Sequence, residues 1–241
     1  MFNGYGDPGC HPLAALGSDA ITVAVAANFA RPLEEIKQLY EQRTDTQVMV
    51  TVASSGGLAA QLGNGAPYDV FLSADRERPS QLYAKNHCFK PFLYARGRTV
   101  FWSKNDAVGK VSSWTEAARH GSIKRISIAN PKVAPYGSVV FPLLTENFPE
   151  GMRSKLIFGR NVAQAFQLAQ ADIVDGAFTS MSFAISPQGT TGRFWEIEEA
   201  EAVSQWGCIG TATDNLQAAE EFVRLLRSDA VRELIQTYGY D

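Results

Sequence analysis

The sequence predicts an α/β protein with parallel strands, and three observations carry that prediction. Short β-branched runs alternate with helical patterns along nearly the whole chain, and that alternation lays helices over the faces of a parallel sheet. Several strand-like runs end on a small polar residue directly before a helical pattern; in open α/β sheets, ligands sit beyond such strand ends. The longest apolar stretches, residues 21–27 and 139–144, fall far short of the ~18 residues a membrane span needs.

With 241 residues, the chain has room for one large or two small domains at ~100–200 residues each. It is 45% hydrophobic and 20% charged, enough to bury a sizeable core. The net charge is −3 and no Lys/Arg run occurs, so nothing pulls the chain toward nucleic acid. Capture of an anion would have to come from local dipoles. Cys10, Cys88 and Cys208 lack metal-ligand spacing and are odd in number, which leaves at least one unpaired. A Cys88–Cys208 disulfide is one option; free, buried thiols are the favoured reading. Residues 1–20 differ from the rest. Glycine, proline, Asn and Asp crowd residues 1–8, no Lys or Arg precedes Arg31, and only Leu13-Ala14-Ala15-Leu16-Gly17 resembles the tail of a secretion signal. We expect a loosely ordered remnant of a leader or a cloning scar.

In chain order, residues 21–26 read as a buried strand that ends at Ala27-Asn28-Phe29. A helix follows over 31–43, with Leu33, Ile36, Leu39 and Tyr40 apolar and Pro32 suited to its first turn. Residues 48–52 form a strand that breaks at Ser54-Ser55-Gly56-Gly57 before a helix carrying Leu58, Ala59 and Leu62. Serine there is a favoured helix cap, and the glycines admit a close backbone approach. A turn at 63–67 leads to a strand at 69–72, then a short helix at 79–85. Residues 100–102 are strand-like, 114–119 helical, and 126–129 a strand ending at Asn130-Pro131. The loop 132–138 enters a helix running to about 146, and Asn161 caps a helix over 162–171. A strand at 176–178 ends at Thr179-Ser180. Two helices, at 216–226 and 230–238, close the chain, the last capped by Ser228. No Pro/Gly-rich linker divides the middle, so two lobes would have to be joined by extended crossings.

Four places share one grammar of strand end, small polar residue and helix start: Asn28, Ser54-Ser55, Tyr136-Gly137-Ser138 and Asn161-Val162. Singly, each is an ordinary cap or turn. Aimed at one point, they would offer many N–H donors and several positive dipole ends to one small anion. Enzyme signatures are missing: His11, His87 and His120 form no HExxH pattern, and neither GxSxG, a Walker A loop nor an early GxGxxG occurs. Asp69 and Asp75 bracket a strand end and read as turn and helix caps before catalytic carboxylates. Arg96 and Arg98 read as surface or hinge residues, and Trp195 and Trp206 as packing residues.

At these residues the chain resembles the periplasmic molybdate-binding proteins (ModA) of ABC importers. The opening Ile21-Thr22-Val23-Ala24-Val25-Ala26-Ala27-Asn28-Phe29 carries the likeness. So do A-S-S-[SG]-x-L at 53–58, D-x-F-x-S-A-D at 69–75, N-P-x-x-x-P-Y-G at 130–137 and the closing Tyr238-Gly239-Tyr240. The resemblance implies a type II periplasmic-binding-protein fold: two α/β lobes with mixed, mostly parallel sheets, joined by two extended crossings near 97–99 and 204–208. Residues 21–98 plus 207–241 would form one lobe and 99–206 the other. It implies Asn28, Ser55, Tyr136, Val162 and Thr179 as ligand positions, Tyr136 and Val162 through backbone N–H. Thr179 stands where many members have Tyr. The residues touch the oxyanion, with no direct metal ligand. The implied function is capture of molybdate or tungstate by a monomeric periplasmic protein that delivers it to a membrane permease, without catalysis or cofactor. The signal peptide is absent or truncated. The alternative is a binder of another oxyanion or a small organic anion.

Every implied ligand group is a neutral donor, and no carboxylate acceptor is among them. The O–H of a protonated oxyanion would be buried unpaired, at ~1–3 kcal/mol. The set should therefore prefer fully deprotonated tetrahedral dianions, namely molybdate, tungstate or sulfate, over hydrogen phosphate.

Overall fold

A computed structural model describes residues 20–148 and 151–241. The expected leader, Cys10 and His11 lie outside the described residues, except that Ala20 already opens the first strand.

The first sheet holds β1 (Ala20–Ala26), β2 (Gln47–Ala53), β3 (Val70–Ser73), β4 (Phe92–Gly97) and, much later, β10 (Val203–Ile209), in the order β2-β1-β3-β10-β4. The second holds β5 (Thr99–Ser103), β6 (Ile126–Ala129), β7 (Leu156–Gly159), β8 (Gly176–Ser180) and β9 (Arg193–Glu196), in the order β7-β6-β8-β5-β9. Helices α1 (Ala30–Glu41), α2 (Ser55–Gly63) and α3 (Glu77–Ala84) accompany the first sheet. The second carries α4 (Trp114–Arg119), α5 (Pro135–Asn147), α6 (Met152–Lys155), α7 (Val162–Gln170) and α8 (Met181–Ala184). The chain then returns to the first lobe with α9 (Leu216–Leu226) and α10 (Asp229–Gln236).

Alternation along β1 shows why this packs. Ile21, Val23 and Val25 face Phe29, Leu33, Ile36, Phe222 and Ile235 of the flanking helices, while Ala24 faces Leu58, Leu62 and Phe71 across the sheet. In the second sheet Phe101 and Phe178 pack with Trp114, Val140 and Leu144, and Val100, Trp102 and Ala177 pack on Phe166 and Met181. Sheets buried on both faces need apolar side chains on both sides of each strand.

Two expectations shift. Strand pairing is evenly divided, parallel at β1–β2, β1–β3, β6–β7 and β6–β8 and antiparallel at β3–β10, β4–β10, β5–β8 and β5–β9, because the strands next to the crossings run against their neighbours. The first crossing is Arg98, as expected, between β4 and β5. The second lies upstream of its expected place: Val203 already pairs with Gly97, so residues 203–206, assigned to the second lobe from sequence, belong to the first sheet. The step between sheets is made by residues 197–202.

Candidate functional site

Between the lobes, the helix starts singled out from sequence line one small cavity. Its walls are Ala26–Asn28, Ser54, Ser55, Ala74, Ala134–Tyr136, Asn161 and Val162. Among the described residues, no charged side chain lines it.

At the first start, β1 ends in one 3-10 turn, Ala27–Phe29, that runs into α1. This leaves the early N–H groups of that turn without helical acceptors. The Asn28 side chain does not serve the cavity as the expected donor. Its Nδ2 donates to Gln205 Oε1 at 2.7 Å and to the Tyr240 hydroxyl at 3.1 Å. Gln205 is held in that orientation because its own Nε2 donates to the Val203 carbonyl at 2.6 Å. The Tyr240 hydroxyl donates to the Asn28 carbonyl at 2.7 Å, and burial pushes this phenol up to about 12.

At the second start, Ser54 caps α2, its Oγ accepting from the Gly57 N–H at 3.2 Å. Ser55 is 1% exposed. Its Oγ accepts from the Ala74 N–H at 3.0 Å, so its own O–H remains to donate. At the third, Pro135 has no N–H and Tyr136 follows in the first turn of α5, where its N–H has no acceptor within the helix. Gly137 is required there, since a Cβ would collide with the Ala129 carbonyl. Burial, with the nearby Tyr240, holds the Tyr136 phenol well above its ordinary value, so it stays neutral. At the fourth, Asn161 Oδ1 caps α7 by accepting from the Gln164 N–H at 2.9 Å, which leaves the Val162 N–H in the uncapped first turn. Four helix N-termini therefore meet at one neutral pocket, an arrangement that favours a small anion without a counter-charge.

Thr179 is corrected. It is fully buried on β8, its Oγ1 has no hydrogen-bond partner, and it does not line the cavity. Asp69 and Asp75 have structural work. Asp69 accepts from the Thr22 N–H at 2.6 Å and from the Thr213 hydroxyl; Asp75 accepts from the Arg78 N–H at 2.9 Å and pairs with its guanidinium. Arg98 lies at the crossing, 3.4 Å from Glu196 and 3.7 Å from Asp241. Trp195 packs on Phe101 and donates to the Val111 carbonyl, and Trp206 lies beneath Arg76. Cys88 and Cys208 are free and buried.

The lobes touch around the cavity. The Gly56 N–H donates to the Val133 carbonyl at 2.9 Å, and Arg78 reaches the Lys132 carbonyl at 3.2 Å. Ser182 Oγ donates to the Asn28 carbonyl at 3.0 Å. Alanines dominate the join: Ala26, Ala27 and Ala74 from one lobe meet Ala129 and Ala134 from the other, with Tyr136 a large buried side chain among them and Phe183 packed against them. Sequence reasoning missed these alanines and Gln205, and it reached Tyr240 only as part of the closing Tyr238-Gly239-Tyr240 motif. Small residues directly after strand ends were the one available signal.

The family model described as bacterial extracellular solute-binding protein matches residues 21–241. The molybdate-binding protein ModA of Azotobacter vinelandii is 33% identical over 226 residues, covering 91% of this chain and 89% of its own. The solved structure of the Azotobacter vinelandii periplasmic molybdate-binding protein superposes with a TM-score of 0.85 at 27% identity, over 92% of this chain and 98% of that one. The sulfate-binding protein SubI of Mycobacterium tuberculosis, at 12% identity and TM-score 0.77 over 92% of this chain and 86% of its own, shares the fold alone.

Proposed function

We propose, from the premise that the chain belongs to the family of bacterial extracellular solute-binding proteins, that it captures molybdate between its lobes and delivers it to the membrane permease of an ABC importer. The observation that carries this reading is the meeting of four helix starts at one small pocket without charged walls. The Ser55 hydroxyl and the backbone N–H groups of Asn28, Tyr136 and Val162 are the donors. The dipole ends balance the dianion's charge. Among the described residues the wall holds no carboxylate, His or Cys that would activate the Ser55 hydroxyl as a nucleophile, which supports binding over turnover. Tungstate, of the same shape and charge, is the second ligand. The protein works as a monomer in the periplasm.

Calorimetric titration of ligand-free protein with molybdate, tungstate, sulfate and phosphate tests this. Tight one-to-one binding of the first two, weaker sulfate and no phosphate is the expected result. Phosphate bound as tightly as molybdate would overturn the donor-only argument. Silence with all four would move the search to organic anions.

A further inference from the structure

Tyr136 serves the pocket through its backbone, and its side chain is left unexplained. The ring is 3% exposed, and among the described residues its hydroxyl has no hydrogen-bond partner of good geometry although Tyr240 and Asn28 lie near it, a costly arrangement for a buried polar group. The ring belongs to the second lobe but ends against Gly97, the last residue of β4 and the threshold of the first crossing. A Cβ on Gly97 would collide with Tyr136 Oη and stand 3.3 Å from its Cζ and 3.0 Å from Tyr240 Cε1. The φ of Gly97 is not in the left-handed region, so the backbone does not demand glycine there. The space does.

We propose that Gly97 and Tyr136 form a slot and key that set how far the lobes close over the anion. The key's backbone lines the pocket while its ring seats against the crossing, so seating the ring and presenting the N–H are one movement. Of the two large side chains packed at this join, Tyr136 and Phe183, Tyr136 is the one seated against the crossing, which makes its ring the stop. Gly97 is thus a positioning residue for ligand capture that never touches the ligand. This inference rests on the oxyanion-capture reading above.

The test is a double-mutant cycle read by molybdate calorimetry and by small-angle scattering with and without molybdate. Gly97→Ala should weaken molybdate binding about tenfold, the usual cost of an overpacked contact. It should also abolish ligand-induced compaction while the ligand-free protein stays folded by circular dichroism. Adding Tyr136→Phe to Gly97→Ala should recover part of the loss, because Oη is gone and Cζ remains. In a Tyr136→Ala background, Gly97→Ala should cost nothing further. Wild-type-like binding and compaction by Gly97→Ala would overturn the proposal. So would an equal loss in the Tyr136→Ala background, which would trace the effect to Tyr240 within one lobe. If the wild-type protein bound none of the oxyanions, both this inference and the functional reading would fall; if it bound them and the cycle were additive, only the inference would.

Discussion

The two walls of the cleft present different chemistry. In the proposed site the first lobe contributes a side chain, the Ser55 hydroxyl, held by the Ala74 N–H, beside a helix start kept in place by the Asn28 network. The second contributes only backbone, at Tyr136 and Val162, on helices whose starts are fixed by Pro135, Gly137 and the Asn161 cap. A side-chain donor can be deleted, whereas a backbone donor can only be misplaced. Substitutions should therefore act sharply on one wall and gradually on the other.

The largest effect is expected from Ser55→Ala. It removes a donor to the anion and strands the Ala74 N–H, two hydrogen bonds that together predict about a 100-fold loss of molybdate affinity in calorimetry. A loss under threefold would break the comparison. On the opposite wall, Asn161→Ala leaves the Val162 N–H in place but frays its helix. A lost cap of about 1 kcal/mol predicts about fivefold weaker binding and a matching drop in unfolding midpoint. A pH series sharpens the point further. Among the described residues the titratable side chain at the pocket is Tyr136, whose phenol is held well above its ordinary value, so affinity should stay level from about pH 7 to 9. Stability should not. The buried phenol of Tyr240 keeps its proton up to about 12, while an unfolded tyrosine releases it near 10. The folded state then holds more protons, and stability falls as pH rises through that window, readable as a declining urea midpoint. The smallest effect belongs to Thr179→Val. Its hydroxyl has no partner and lies outside the pocket, so binding should hold and the melting temperature should stay level or rise.

The same contrast explains what could be read in advance. Ser54-Ser55 and the Asn161 cap were legible because a cap is a local event: acceptor and donor lie three residues apart. The strand at β1 was legible from a run that is apolar but for Thr22. β10 was not, because Val-Ser-Gln-Trp-Gly-Cys-Ile interrupts the apolar pattern with a buried Gln205 whose partner, Asn28, is 177 residues away. For the same reason Asn28 looked like a donor to a ligand. Its amide is spent on residues that only the folded chain brings near. Thr179 looked usable because a hydroxyl at a strand end invites that reading, and only packing shows which hydroxyls reach the pocket.

Tyr240 and Asp241 tie one wall of the pocket to a distant stretch of sequence. Asp241 exchanges backbone hydrogen bonds of 2.7 and 2.9 Å with Arg96, and Tyr240 completes the network beneath Asn28. Asn28 and the tyrosine that braces it are 212 residues apart. The first helix start is therefore held only because α9 and α10 bring the chain back to the first lobe, so loosening that return would slacken the pocket without touching any residue that lines it.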